Sequence, residues 1–369
     1  MSKPRVIAFY LPQYYPTPEN DKWWGKGFTE WTNVGKAKPL WKNHYQPRVP
    51  ADLGYYDLRI PEVREQQVEL AREAGVTAFC YWHYWFGNGK QLLERVFDEV
   101  LESGKPDFPF CLGWANHSWY AKTWDKTGTD KLLIEQTYPG EEDAKEHFSF
   151  LLKAFKDPRY VKVNGAPFLF VFEPRYLPQQ YTEWFRTWTK EAGFPDIYLV
   201  ANVVWENDYN KYLDYGYNAI LHNRLAKPRE TYWAHVSKTE KYMDKAIRYI
   251  KEKLIGIPRN ALDYNKYLPL LIDKKEDSKI EVIPEIVPQW DHSPRSGSKR
   301  ITAIFYNSTP ELFCQHVKEA LSVIKDKPEE NQILILKSWN EWAEGNYMEP
   351  DLLYGKGYIR ALRKALEDF

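Results

Sequence analysis

The 369-residue chain has little cysteine, no net charge and no long apolar run. Each shortage removes a class of protein. The three cysteines, Cys80, Cys111 and Cys314, form no C-x-x-C pair, and the first two sit inside apolar, strand-like runs. Buried, reduced thiols are expected rather than a disulfide framework. Fifty-one basic residues balance 51 acidic ones, so no overall field draws the chain toward nucleic acid or an anionic membrane. No stretch approaches the roughly 18 consecutive apolar residues of a membrane span. The N-terminal run Val6 to Leu11 is too short and too tyrosine-ended for a signal peptide, and no small-residue cleavage site follows it. A cytoplasmic protein is expected, or a periplasmic or secreted one already freed of its signal. Missing too are H-E-x-x-H, a Walker loop, G-x-G-x-x-G after a strand and a G-x-S-x-G elbow, so metal, nucleotide and serine-hydrolase chemistry recede and no metal or organic cofactor is implied. A D-x-D triplet is also absent, which weakens one class of metal-dependent sugar transfer.

What the chain has in excess is aromatic surface. Tryptophan occurs 16 times and tyrosine 27 times, and aromatics reach 17%, more than a core of this size ordinarily requires. Such an excess lines something.

Short apolar runs recur at Val6 to Leu11, Ala78 to Trp82, Phe108 to Trp114, Phe168 to Phe172, Ile197 to Val203, Asn218 to Leu221, Val282 to Val287 and Ile333 to Trp339. Amphipathic stretches such as Pro61 to Ala74, Leu92 to Ser103, Pro178 to Glu191 and Pro310 to Ile324 separate many of them. Eight strands alternating with helices predict an α/β fold, a (β/α)8 TIM barrel, with an open doubly wound sheet as the alternative. The chain reads as one catalytic domain over 1–369. Two additions stand out: a long Pro-, Trp- and Tyr-rich loop after the first strand, Pro12 to Asp57, and a charged insertion at 226–279 between strands six and seven, with a helix expected at Glu240 to Leu254.

In such a barrel the C-terminal strand ends face the active site. The first strand and its loop bring Tyr10, Gln13, Glu30 and Trp31 there; the second brings Trp82, His83, Tyr84 and Trp85; the third brings Trp114, Asn116 and Trp119. Glu173 follows the fourth, Asn202 and Trp205 the fifth, His222 the sixth, Trp290 and Asp291 the seventh, and Trp339 and Asn340 the eighth. Nearly every end carries an aromatic, a hydrogen-bonding group or both, a composition suited to stacking on sugar rings and holding their hydroxyls. An oligosaccharide or polysaccharide is the expected partner. Asn116, His83, Asp291 and Asn340 are candidates to fix hydroxyls, with a satisfied structural histidine as the alternative for His83 and for His222.

Two carboxylates, Glu341 and Glu344, follow the eighth strand. Pairs at i and i+3 are common on solvated helix faces, but this one directly follows a buried-strand pattern and is framed by Trp339 and Trp342. If the chain turns helically there, the pair shares a face with Cβ atoms roughly 5 to 6 Å apart. That is near the spacing of about 5 to 5.5 Å used by retaining glycosidases. Gly345 would let the chain leave the turn without strain.

The segments Phe9 to Tyr14, Gly27 to Trp31, Tyr81 to Trp85 and Trp339 to Gly345 resemble the WbsX-like proteins of bacterial polysaccharide loci, relatives of glycoside hydrolase family 99. Trp290-Asp291 and Glu349-Pro350-Asp351 are similar to the same group. The resemblance implies a (β/α)8 barrel, endo-acting cleavage of α-mannosides, and retention through a 1,2-anhydro sugar. It assigns Glu341 as the base on the substrate's own 2-hydroxyl and Glu344 as the acid, then base, at the glycosidic oxygen. The WbsX-like proteins have commonly been labelled glycosyltransferases from gene context, so transfer in surface-polysaccharide assembly is the first alternative, and a non-catalytic glycan-binding barrel the second.

Overall fold

The structure, a computed structural model, describes residues 3–121, 131–203, 209–226, 228–296 and 304–369. Trp205 lies outside them. Nine parallel strand segments form the wall: β1 (Arg5–Tyr10), β2 (Ala78–Trp85), β3 (Phe110–Trp114), β4 (Ala166–Val171), β5 (Tyr198–Val203), β6 (Ala219–His222), β7 (Val282–Ile283), β8 (Glu285–Ile286) and β9 (Ile333–Leu336). Each is buried along nearly its whole length, as parallel strands covered on both faces must be. The expected runs therefore all appear.

The seventh stave departs from the expectation of one continuous strand. Pro284 has no N–H to give to a ladder, so the stave divides into β7, which pairs with β6, and β8, which pairs with β9. Both neighbours still hold it: the Ile220 N–H donates to the Glu281 carbonyl at 2.8 Å and the Ile335 N–H to that of Pro284 at 3.0 Å. With β9 paired to β1, the wall closes as an (β/α)8 TIM barrel.

Helices cover the outside: α1 (Pro61–Ala74), α2 (Arg95–Ser103), α3 (Glu141–Phe155) and α4 (Gln179–Glu191), then α6 (Pro310–Ile324) and α7 (Gly357–Glu367) after the insertion. Thr309 caps α6 by accepting from the Leu312 N–H, and Pro310 begins it, a pairing of cap and first-turn proline that fixes where the helix starts. The loop after β1 holds two short helices, Pro18–Trp24 and Glu30–Lys36. The insertion carries α5 (Lys238–Ile255), two residues longer at its start and one longer at its end than expected. A capping box between Ser237 and Glu240 starts it, and Gly256 in the left-handed region ends it. Behind α5, Ala261–Asp263 pairs in parallel with Ile304–Tyr306 over a small core of Leu262, Tyr264, Tyr267 and Phe305.

Candidate active site

At the end of β9 the chain makes a short antiparallel pairing of Asn340–Glu341 with Asn346–Tyr347, and the residues between them, Trp342–Glu344, wind as a 3-10 turn. In a 3-10 turn side chains three apart eclipse one another, which brings Glu341 and Glu344 to the same side. Gly345 closes the turn at φ 56°, and a Cβ there would lie 2.7 Å from that of Asp291. Glycine is required on both counts. The turn is anchored by Asn340, whose side chain accepts from the Leu11 N–H at 2.7 Å and donates to the Leu11 carbonyl at 3.0 Å. Tyr14 also donates its hydroxyl to the Asn340 carbonyl.

One guanidinium organises the carboxylates. Arg295, from the segment after β8, donates to Glu344, to Glu341 at 3.1 Å and to Glu30 at 3.3 Å. His292 approaches Glu344 at 3.7 Å. Three acids share this guanidinium, with the Lys337 ammonium acting on Glu341 and Glu344 from farther off, and the two members of the pair are driven apart. Burial pushes the Glu341 carboxyl up, and the charge of Glu344 adds to it. Burial pushes Glu344 in the same direction, but Arg295 and His292 outweigh it and hold that carboxyl below its ordinary value. Glu30, fully buried, is raised by burial despite Arg295. Burial thus favours the proton on Glu341 while Arg295 favours the charge on Glu344, the kind of division that acid and base work needs.

Both open onto a cleft of about 510 Å³ at the barrel mouth. Of the residues expected there, Gln13, Trp82, Tyr84, Trp119 and Trp290 line it. Trp82 stacks on Phe9 with ring centroids 4.6 Å apart, and its indole N–H donates to Glu341 at 3.2 Å. The ring fits because β3 has Gly113 beside it, where a Cβ would meet the indole at 3.2 Å.

The other expected contacts point elsewhere. Strand β2 alternates, so Trp82 and Tyr84 face the cleft while His83 and Trp85 face the helices. His83 bonds His147 at 2.9 Å, and burial lowers its pKa to about 3, leaving a neutral core residue. Trp85 stacks on His147 and donates to Asp143. Trp114 is buried against Phe185, Tyr10 donates to Gln67 of α1 at 2.7 Å, and Trp339 packs on Phe79. Asn116 clasps the Glu173 backbone, accepting from its N–H at 2.7 Å and donating to its carbonyl at 2.9 Å, while the Glu173 carboxylate pairs with Arg175. His222 packs edge-on to Tyr209.

Trp31 wedges among Tyr14, Tyr56 and Trp342 behind the pair. Asn340 is consumed by its clasp. Asp291 is fully buried and accepts from Gln46 at 2.6 Å, meets His44 at 2.8 Å and gives its N–H to the Glu344 carbonyl at 2.7 Å. Burial opposes its charge, but His44 and Arg48 hold its carboxyl well below the usual range. It supports Glu344 from beneath rather than meeting a ligand.

His117, at the end of the third strand, also lines the cleft, whereas Arg295, His292 and the cleft residues Phe172 and Lys337 were not expected as contacts from the sequence. For Arg295 no local signal was available, since the acids it meets lie far from it along the chain.

Comparison with known proteins agrees with the barrel fold. Two solved structures share the fold: a glycoside hydrolase-like protein, with a TM-score of 0.61 and 15% identity over 99% of this chain and 94% of its own, and the GH99 endo-alpha-mannosidase of Bacteroides thetaiotaomicron in complex with bis-tris-propane, with a TM-score of 0.57 and 14% identity over 99% of each. At these identities they speak for the barrel alone. WxcX of Xanthomonas campestris pv. campestris is 33% identical over 98% of this chain, which spans about half of that relative, 49% of its length. The family model described as Glycosyltransferase WbsX matches residues 6–362. With that match running from the first strand to the last helix, the chain belongs to the WbsX family.

Proposed function

We propose that this chain is a retaining, endo-acting glycoside hydrolase that cleaves α-linked, manno-configured residues within a polysaccharide. The observation that carries the reading is the carboxyl pair on one turn, divided in charge by Arg295 and facing an aromatic cleft. In the first step the Glu341 carboxylate takes the proton of the sugar's 2-hydroxyl, whose oxygen attacks the anomeric carbon while Glu344 protonates the departing glycosidic oxygen. In the second, Glu344 takes a proton from water, which opens the 1,2-anhydro ring at the anomeric carbon, and Glu341 returns its proton to the 2-oxygen. Protons balance, and configuration is retained through two inversions.

The shifts in the structure run the other way, with the proton favoured on Glu341 and the charge on Glu344. The proposed roles require Arg295 to shift from Glu344 toward Glu341, which it already touches at 3.1 Å; Glu344, left buried without its cation, would then take up the proton. Leaving-group dependence tests this split. Glu344→Gln should recover turnover on substrates whose leaving group needs no proton, and Glu341→Gln should not; the opposite pattern would reverse the roles.

The experiment for the activity itself is release of new reducing ends from α-linked mannans and bacterial surface polysaccharides, comparing wild type with Glu341→Gln and Glu344→Gln. Product from the wild type alone supports the hydrolase. The family description favours a second reading, glycosyl transfer. A rise in melting temperature with a nucleotide sugar, and no glycan cleavage, would select it. Glycan binding unchanged by either Glu substitution, with no product, would select a binding barrel.

A further inference from the structure

Helix α5 is turned inside out. Met243, Ile247, Ile250 and Leu254 follow one another at four, three and four residues and so form one ridge, with Tyr242 and Tyr249 on the ridge beside it. A surface helix normally puts such a face against the core. Here none of its residues is buried; Tyr242 is 72% exposed and Leu254 78%. Of the sixteen strongly exposed large apolar and aromatic side chains among the described residues, seven lie on this one helix, so the exposure is concentrated rather than scattered.

The polar side of α5 is what holds it to the protein. Asp244 accepts from the Trp233 indole N–H at 2.9 Å, Arg248 donates to the Ala261 carbonyl at 2.6 Å, and Lys251 donates to the Tyr306 hydroxyl at 3.0 Å. These bonds orient the helix, so the apolar face points outward by construction. Charge identifies what it meets. The helix carries six basic and three acidic side chains, although the whole chain is neutral. Lys245 and Lys253 set their ammonium groups over Tyr242 and Tyr249, at 5.8 and 5.9 Å from the ring centroids, and Arg259 lies 4.9 Å from that of Tyr249.

Protein interfaces deplete lysine from their cores. Lys253, which lies between the two tyrosines and the aliphatic ridge, would be stranded in one. At a bilayer surface the same arrangement is favourable: aliphatic side chains enter the acyl boundary, tyrosines sit at headgroup level, and lysines reach anionic phosphates from apolar stems. We propose that the outward face of α5 docks the protein on an anionic lipid surface. The C-terminal end of the helix meets the loop after β1, where a Cβ on Gly256 would lie 3.6 Å from that of Trp41, so docking would fix how that loop is presented.

The test is sedimentation of the full chain with vesicles of phosphatidylcholine containing about one third phosphatidylglycerol, and with phosphatidylcholine alone. Wild type should bind the anionic vesicles roughly tenfold better or more, and salt should weaken the binding. Ile250→Glu/Leu254→Glu should abolish binding, and Lys245→Glu/Lys253→Glu should weaken it about tenfold or more, both with an unchanged melting temperature, since these side chains are exposed. Absence of binding by wild type would overturn the proposal. So would equal binding by wild type and both variants, or a lipid-independent dimer in light scattering that Ile250→Glu/Leu254→Glu dissolves.

Discussion

The barrel mouth and the insertion arrange the same kinds of side chain in opposite senses. At the mouth, charge is gathered inward: Glu30, Glu341, Glu344 and Arg295 lie beneath the surface, and the aromatics around them are stacked and bonded. On α5, charge ties the helix down and the apolar side chains stand outward. Buried charge in the first region sets protonation states that water would erase. Exposed apolar surface in the second contributes nothing to the fold of the isolated chain. The lesson is that an unfavourable placement marks function only when the surroundings hold it there, as Arg295 holds the acids and Lys251 holds the helix.

Substitutions should therefore act very differently in the two regions. The largest effect expected is on catalysis: Glu344→Gln should lower cleavage of unactivated glycosides by roughly 10²- to 10⁴-fold with melting unchanged, measured as reducing ends released. Near-normal turnover would remove the mouth from the chemistry. Next comes Glu349, below the turn, which accepts from Trp342, Gln67 and Tyr56. Burial raises its pKa from 4.5 to about 7. The folded protein therefore keeps a proton that the unfolded chain has lost between those values, and its contribution to stability falls as pH rises through that window. Glu349→Gln should remove a slope worth about 3 kcal/mol between acid and neutral pH, read from urea unfolding across the range. An unchanged slope would mean that Glu349 titrates normally.

Gly345→Ala should cost roughly 2 kcal/mol from backbone conformation alone and more from the clash with Asp291, and it should reduce activity with stability because it displaces Glu344. Stability lost without activity would separate the turn from the pair. The smallest effect expected is that of Leu254→Gln on α5, within about 0.5 kcal/mol of wild type by the same unfolding measurement. A loss as large as that at Gly345 would show the outward face to be packed and would end the contrast.

The strands were legible because parallel staves covered on both faces read as continuous apolar runs, and Val6 to Leu11 or Ile333 to Leu336 need no further pattern. That same property hid which residues face the cleft. When both sides of a wall are buried, alternation loses its polar half, and Trp82, His83, Tyr84 and Trp85 look alike although only the first and third line the opening. The Glu341–Glu344 turn was legible only as a condition, since the spacing makes a pair if the chain turns and separates the two acids if it stays extended, and Gly345 permits the turn. Arg295 was not, because its partners lie 46 and 49 residues away along the chain and only closure of the barrel brings them together. For α5 the limits were readable to within two residues, but its orientation depended on which side found partners.

The split at Pro284 bears on how the site moves. Strands β7 and β8 each hang on their neighbours by two residue pairs, whereas β2 and β3 share five. Amide exchange should therefore proceed at lower opening free energy along this stave than along the rest of the wall. Arg295 follows that stave nine residues after β8 ends. The seam of the barrel and the residue that partitions charge between the acids thus belong to one stretch of chain.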